Sequence, residues 1–126
     1  MILLCLSAAL LAVSCRSVPP VSTEGLSAAE IFQRAQDAAE KGDSAAAIRY
    51  YEVYKQVRPD DRERGAWASY EIAFLYFKRN KDDKALNLID VLLAEYSVDN
   101  GELPSGPRIL ADKLKARIQA KNLPKS

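Results

Sequence analysis

The chain has 126 residues, of which 48% are apolar and 28% charged, and its formal net charge is +1. These values are typical of one globular domain and argue against a nucleic-acid-binding protein, which usually presents a strongly basic surface. The chain has no histidine, so it lacks the commonest general acid-base group and the commonest metal ligand. Its two cysteines, Cys5 and Cys15, both lie near the start, which excludes a disulfide framework for the rest of the chain.

Residues 1–14 predict a secretory signal peptide. The apolar, uncharged stretch 2–14 is shorter than the roughly 20 residues that a transmembrane helix needs. It ends in Ala12-Val13-Ser14-Cys15, which resembles the bacterial lipobox, where small or aliphatic residues precede a cysteine that becomes the lipid-bearing N-terminus. No basic residue precedes the stretch, so either the true start lies upstream or the terminal amino group is the only positive charge.

The lipobox resemblance implies lipid attachment at Cys15 and a mature chain that begins there. It also implies a location in the bacterial cell envelope, anchored to a membrane and facing the periplasm or the exterior. An ordinary signal peptide or a membrane-associated stub is the alternative. Residues 15–25 predict a flexible tether, because Pro19-Pro20 disfavours helix and favours extended polyproline geometry.

The rest of the chain predicts an all-α fold, because no alternation of apolar and polar residues lasts more than a few positions. Ser27 and Glu30 have the spacing of a capping box at the start of the first helix. Pro59 ends the second helix, and Asp60 or Asp61 caps the third. The predicted helices cover about residues 27–41, 44–57, 66–78 and 82–96, and a fifth begins near Pro107 and carries Ile109, Leu110, Leu114 and Ile118 on one side.

Two segments repeat one pattern at a separation of 38 residues: a helix end, a tight turn and a helix start. Gly42 and Asn80 occupy the turns, and both residue types tolerate the left-handed backbone that closes a helix. Ala47 and Ala85 occupy matched places, where we predict close contact between the two helices of a hairpin. Because a repeated unit cannot bury its apolar face alone, we expect the hairpins to stack and the fifth helix to cover the open edge.

This pattern resembles the tetratricopeptide repeat, a helix-turn-helix unit of about 34 residues. The positions at which that family has small residues hold Ala35 and Ala47 in the first unit and Ala73 and Ala85 in the second. The four extra residues of the spacing fall at 62–65. The resemblance implies two tetratricopeptide-like antiparallel hairpins over residues 26–99, followed by a loop and a basic capping helix over residues 100–126, an α-solenoid fragment.

In that family the first helix of each unit lines a concave groove that binds a protein or peptide. The resemblance places six residues of this chain in such a groove: Phe32, Gln36, Trp67, Tyr70, Phe74 and Phe77. The four aromatic residues of the second unit share one helical stripe, because they are spaced by three, four and three positions. They favour a partner-binding groove with aromatic anchors. The alternative is that the stripe packs against the first and fifth helices, away from solvent.

Charge is distributed unevenly along the chain. Residues 108–126 carry five net positive charges, so the rest carries four net negative charges. A basic helix of this kind favours an acidic partner or anionic lipid headgroups, and the alternative is a solvated face whose cations suit the C-terminal end of the helix. The acidic pairs Asp60-Asp61 and Asp82-Asp83 are typical of helix starts, and a metal site would need further oxygen ligands.

The sequence offers no nucleophile motif and no phosphate-binding loop. We therefore predict no catalytic residue, no metal, no cofactor and no enzymatic activity. The prediction is a membrane-anchored adaptor that binds a protein or peptide in the bacterial cell envelope. Two other functions stay open. One is the ligand-binding accessory subunit of a solute transporter, with a pocket lined by Trp67, Tyr70 and Phe74. The other is a structural subunit of a homo-oligomer, whose groove is closed.

Overall fold

The computed structural model describes residues 20–125, so the predicted signal peptide and Cys15 lie outside the described residues. The described part is all-helical and contains no strand, which confirms the predicted fold class. Its elements are α1 (Ala28–Glu40), α2 (Ser44–Val57), α3 (Arg62–Lys78), α4 (Asp82–Ser97) and α5 (Ser105–Lys121). None of these five helices combines the length with the apolarity that a bilayer-spanning segment requires.

The predicted helix caps are present. At the start of α1, the backbone amide of Ser27 donates to the Glu30 carboxylate, and the amide of Glu30 donates to Ser27 Oγ, which together form a capping box. Asp61, and not Asp60, caps α3, because its Oδ1 accepts from the amide of Arg64 at 3.0 Å. The hydroxyl of Tyr54 donates to Asp61 Oδ2 at 2.6 Å, which holds the pKa of Asp61 below its usual range and ties the end of α2 to the start of α3.

The two predicted turns have the expected backbone geometry. Gly42 has a φ of 79° and Asn80 a φ of 57°, both in the left-handed region. Asn80 is the one residue other than glycine with a positive φ in the described part of the chain. Each turn leads into a helix whose matched alanine, Ala47 or Ala85, is 0% exposed. Both matched alanines are therefore buried in helices that pack against their hairpin partners, as the prediction requires.

The helices pack as two stacked hairpins with a terminal helix. Helix α2 packs against α1 and α3, α4 packs against α3, and α5 packs against both α3 and α4. Helix α3 is therefore central, and it contributes more buried residues than any other helix of residues 20–125. In the same range no polar or charged residue is fully buried, so burial of apolar side chains holds the hairpins together.

Helix α3 has 17 residues, whereas α1, its counterpart in the first hairpin, has 13. The difference of four residues is residues 62–65, which form the first turn of α3. Since an α-helical turn takes about 3.6 residues, these four residues add about one turn to the start of α3. Arg62 in this added turn forms ion pairs with Asp99, at 2.9 Å, and with Glu102, which fix the loop that leads into α5.

The buried face of α5 differs in part from the predicted one. Pro107, Ala111, Leu114 and Ile118 are buried, whereas Ile109 is 46% exposed. Their spacing of four, three and four defines one stripe, and Ile109 lies two positions after Pro107, on the opposite side of the helix. The prediction that Ile109 shares the packed face was therefore wrong.

Replacing Ala85 by leucine tests whether the hairpins depend on close helix approach. A larger side chain at this fully buried position forces the helices apart, so we expect Ala85→Leu to lower the free energy of unfolding by about 1–3 kcal/mol. Ala94→Leu, at an exposed site on the same helix, is the matched control and should change it by less than about 0.5 kcal/mol. Chemical denaturation followed by circular dichroism measures both, and equal effects would contradict the close contact.

Candidate functional site

The aromatic stripe of α3 is partly open to solvent. Trp67, Phe74 and Phe77 are half-buried, whereas Tyr70 is buried, at 9% exposure. The rings of Tyr70 and Phe74 stack with their centroids 6.1 Å apart, and those of Phe74 and Phe77 stack at 6.4 Å. Stacking of this kind stabilises the fold beyond the contribution from burying the apolar surface of the rings. The stripe therefore forms a stiff aromatic surface that α1 and α5 flank without sealing it.

A cavity of about 410 Å³ lies between α1 and α3, and we call it the α1–α3 pocket. Three of the predicted groove residues, Phe32, Gln36 and Trp67, line it together. The ring of Phe32 is held edge-on against Tyr51, at a centroid distance of 5.4 Å, and against Tyr54 at 4.9 Å. The remaining lining residues are Tyr51, Glu63, Arg64 and Glu71.

The carboxylate of Glu71 has an unusual environment in this pocket. It is half-buried, and it makes no hydrogen bond and no ion pair with any residue in the range 20–125. Burial raises its pKa, and the charge of Lys78 opposes that shift only in part. The pKa of Tyr51 is raised as well, first by burial and then by the charge of Glu71. A partly desolvated carboxylate without a partner costs stability in the isolated chain.

A second, smaller cavity of about 140 Å³ lies between α3 and α5, and we call it the α3–α5 pocket. Tyr70 and Phe74 line its α3 side, and its α5 side is formed by Leu110, Lys113, Leu114 and Arg117. Cations surround the neighbouring rings. The Nζ of Lys78 lies 5.8 Å from the centroid of Phe74, and the Cζ of Arg117 lies 5.1 Å from that of Phe77. Both distances are within the range of cation–π attraction.

The predicted basic helix uses its charges in two ways. Lys115 donates to Asp90 at 2.7 Å and Lys121 donates to Asp82 at 2.8 Å, so these two cations attach α5 to α4. Lys113 and Arg117 form no ion pair within the described residues, and both line the α3–α5 pocket. Two of the basic residues of α5 therefore stabilise its packing on α4, and two others line the α3–α5 pocket.

The indole of Trp67 also contacts the first turn of α5. A Cβ placed on Gly106 would lie 2.7 Å from Cζ2 and 2.8 Å from Cη2 of Trp67, which is closer than real atoms approach. Only glycine at position 106 leaves room for the ring in its present place. The start of α5 therefore sets the position of the indole that lines the α1–α3 pocket.

All six predicted groove residues lie on this face, but the structure divides them. Phe32, Gln36 and Trp67 belong to one pocket, Tyr70 and Phe74 to the other, and Phe77 lies beneath cations of α5. The cations of α5 were predicted only as a separate basic surface, and the charged lining residues of the α1–α3 pocket, Glu63, Arg64 and Glu71, were not predicted. Glu63 and Glu71 lie four positions before and after Trp67, so helical spacing was a usable signal for them. On α5, helical spacing had grouped Leu110 and Leu114, which line the α3–α5 pocket. It did not single out Lys113 and Arg117, because the sequence does not show how that helix rotates against α3.

The arrangement is suited to binding by aromatic surface and charge. Within residues 20–125 no group of three or more side chains of metal-ligand type converges. Comparisons with known proteins found no matching family model, no matching curated protein and no matching solved structure. The function of the chain is therefore inferred from its fold and from the geometry of these two pockets.

The contact between Gly106 and Trp67 gives a direct test of this packing. In Gly106→Ala the added methyl group displaces the indole, so we expect a red shift of the fluorescence emission and a loss of about 1–3 kcal/mol in the free energy of unfolding. The emission reports on one site, because Trp67 is the only tryptophan in the chain. The matched control is Gly65→Ala, at a helical glycine with nothing within 4 Å of the new Cβ. An unchanged emission in Gly106→Ala would contradict the contact.

Proposed function

We propose that this chain is a membrane-anchored, tetratricopeptide-like scaffold of the bacterial cell envelope, which binds a segment of a partner protein on the face formed by α1, α3 and α5. The partial exposure of Trp67 and Phe74 between two pockets carries this proposal. Tyr54, Ile48 and Leu75 are almost completely buried. The large apolar residues that are exposed elsewhere in the described chain, such as Val91, Val98 and Ile109, are aliphatic and line neither pocket. Rigid aromatic rings beside open pockets are typical anchors for a partner's side chains.

The membrane anchor is supported by the lipobox-like sequence that ends at Cys15. Two or three acyl chains on one cysteine would hold the chain firmly, since each buried methylene contributes about 0.8 kcal/mol. The predicted tether between Cys15 and α1 is short. Its residues 16–25 reach at most about 35 Å when fully extended. The binding face would therefore operate close to the membrane surface, where a partner in the same membrane or near it is accessible.

A second candidate function is the binding of a small molecule, as in an accessory subunit of a transporter. The volume of the α1–α3 pocket, about 410 Å³, favours it, because small-molecule sites usually measure about 300–1,000 Å³. The same pocket is open to solvent and is lined by three charged residues, Glu63, Arg64 and Glu71. These features suit a polypeptide side chain better than an enclosed apolar ligand, so the scaffold function is preferred.

Partner capture in intact envelopes tests the scaffold function. We expect the double variant Trp67→Ala, Phe74→Ala to lose most of the crosslinked partner, because truncation of aromatic anchors typically costs at least about 2 kcal/mol of binding energy. The control double variant Val91→Ala, Val98→Ala changes two exposed residues, one in α4 and one directly after it, that line neither pocket, and it should retain the partner. Circular dichroism of each purified variant confirms that it is folded. Equal recovery of crosslinked partner from both double variants would reject the groove.

Replacement of the predicted lipid-attachment residue tests the anchor. We expect Cys15→Ser to abolish acylation, because serine lacks the thiol that forms the thioether, and to move the chain from the membrane fraction to the soluble fraction. Cys5→Ser, within the predicted signal peptide, is the matched control and should leave acylation intact. Fractionation and the mass of the intact protein measure both effects. An acylated Cys15→Ser chain would contradict the assignment.

A further inference from the structure

The two pockets beside α3 have opposite chemical character. The α1–α3 pocket contains two carboxylates, Glu63 and Glu71, together with the rings of Phe32 and Trp67. Its aromatic wall already accommodates a cation, because the Cζ of Arg64 lies 5.9 Å from the centroid of Phe32. That guanidinium forms no ion pair with Glu71 within residues 20–125, so the Glu71 carboxylate is available to a second cation. A basic side chain that entered here would meet both an aromatic face and an unpaired carboxylate.

The α3–α5 pocket has the reverse composition. Its charged lining residues are Lys113 and Arg117, and it contains no carboxylate. Neither cation forms an ion pair with any residue of the described chain, in contrast to Lys115 and Lys121 on the same helix. An acidic side chain in this pocket would receive charge-assisted hydrogen bonds beside the rings of the stripe.

We propose that the partner segment is extended and dipolar, with a basic side chain in the α1–α3 pocket and an acidic side chain in the α3–α5 pocket. This inference rests on the proposed function, because it assigns a chemistry and an orientation to the segment bound on that face. An apolar residue between the two charged ones would lie on the aromatic stripe. The opposite charges of the two pockets fix which charged side chain lies on which side of α3.

The spacing of the two pockets defines the spacing of the charged residues. Glu71 of the α1–α3 pocket and Tyr70 of the α3–α5 pocket are consecutive residues at one level of α3. Because a helix with its side chains is about 10–12 Å across, the clefts on its two sides are separated by about 10 Å. An extended chain rises about 3.3 Å per residue, which places the basic and acidic residues three positions apart. The pocket volumes, about 410 and 140 Å³, suit single side chains. A partner helix, with a diameter of about 10–12 Å, does not enter either of them.

The charge distribution also selects among other occupants. A membrane surface or another polyanion would be attracted by Lys113 and Arg117. On the same face it would meet the α1–α3 pocket, where two carboxylates, Glu63 and Glu71, outnumber one cation, Arg64. A uniformly basic partner would be attracted by the carboxylates of the α1–α3 pocket but repelled by Lys113 and Arg117. Only an occupant with both charges satisfies both pockets, and for that reason we assign a polypeptide segment.

Nuclear magnetic resonance with two small probes tests each pocket separately. The sample is the full chain, labelled with nitrogen-15, in neutral detergent micelles. N-acetyl-arginine amide should shift the indole signal of Trp67 and the amide signals near Phe32 and Glu71. N-acetyl-glutamate amide should shift the signals near Lys113 and Arg117. Uniform shifts, or shifts away from these residues, would overturn the proposal.

Matched variants then separate the two pockets. Glu71→Gln keeps the shape of the side chain and breaks no bond to the described residues, so the variant should fold and lose only the response to the arginine probe. Lys113→Gln combined with Arg117→Gln should lose only the response to the glutamate probe. The controls Glu40→Gln and Lys125→Gln alter exposed charges away from both pockets and should keep both responses. An unchanged response to arginine in Glu71→Gln would overturn the assignment of that pocket.

Linked probes test the dipolar spacing. The peptides acetyl-Arg-Gly-Gly-Glu-amide and acetyl-Glu-Gly-Gly-Arg-amide present both charges in the two possible directions. One of them should bind at least about tenfold more tightly than either single probe, because the second contact becomes intramolecular. The like-charged peptides with two arginines or two glutamates should show no such gain, and equal affinity of any like-charged peptide would overturn the dipolar assignment. Quenching of Trp67 fluorescence provides the measurement.

A final comparison distinguishes failure of this inference from failure of the scaffold function. Partner crosslinking in envelopes is repeated with Glu71→Gln and with the Lys113, Arg117 double variant. Loss of the partner in both supports the dipolar segment. Retention in both, together with loss in the Trp67, Phe74 double variant, would leave the groove intact and reject the dipolar assignment. If phosphatidylglycerol vesicles bind through Lys113 and Arg117 while the peptides do not bind, the occupant is a lipid surface and the inference fails.

Discussion

The close approach of helices at small side chains is the constraint on which the rest of the structure depends. Ala35 and Ala47 in the first hairpin, and Ala73 and Ala85 in the second, are all 0% exposed. With these residues at the contacts, the backbones come near enough for the flanking larger side chains to interlock, as close-packed interiors require. Helices α2 and α4 therefore pack against the faces of α3 that carry small and aliphatic side chains. The face of α3 that carries the aromatic stripe is turned towards α1 and α5.

The local features of the fold were predictable because each is encoded within a few residues. The capping box at Ser27 and the left-handed turns at Gly42 and Asn80 need no knowledge of the tertiary structure. The start of α3 was less clear, since residues 62–65 contain a glycine and fit a loop or a helix. In the structure Asp61 resolves this ambiguity, because its side chain both caps the helix and accepts a hydrogen bond from Tyr54.

The site was predictable only in part, because it depends on how separate helices face one another. Helical spacing correctly grouped the rings of α3, but it did not show that Trp67 belongs to a different pocket from Phe74. The packing of Trp67 on Gly106 joins positions far apart in the chain and leaves no pattern in the sequence. The same limit applies to the basic helix. Which lysines hold α5 against α4, and which face the groove, depends on a rotation that composition does not specify.

The additional first turn of α3 has a consequence beyond its length. At about 1.5 Å per residue, four residues make α3 roughly 6 Å longer than α1. This overhang carries Arg62, which secures the connection to α5, and Glu63 and Arg64, which supply charge to the rim of the α1–α3 pocket. One extra helical turn thus both braces the connection to the final helix and sets the charge at the rim of a pocket, while the two hairpins keep the same arrangement of helices.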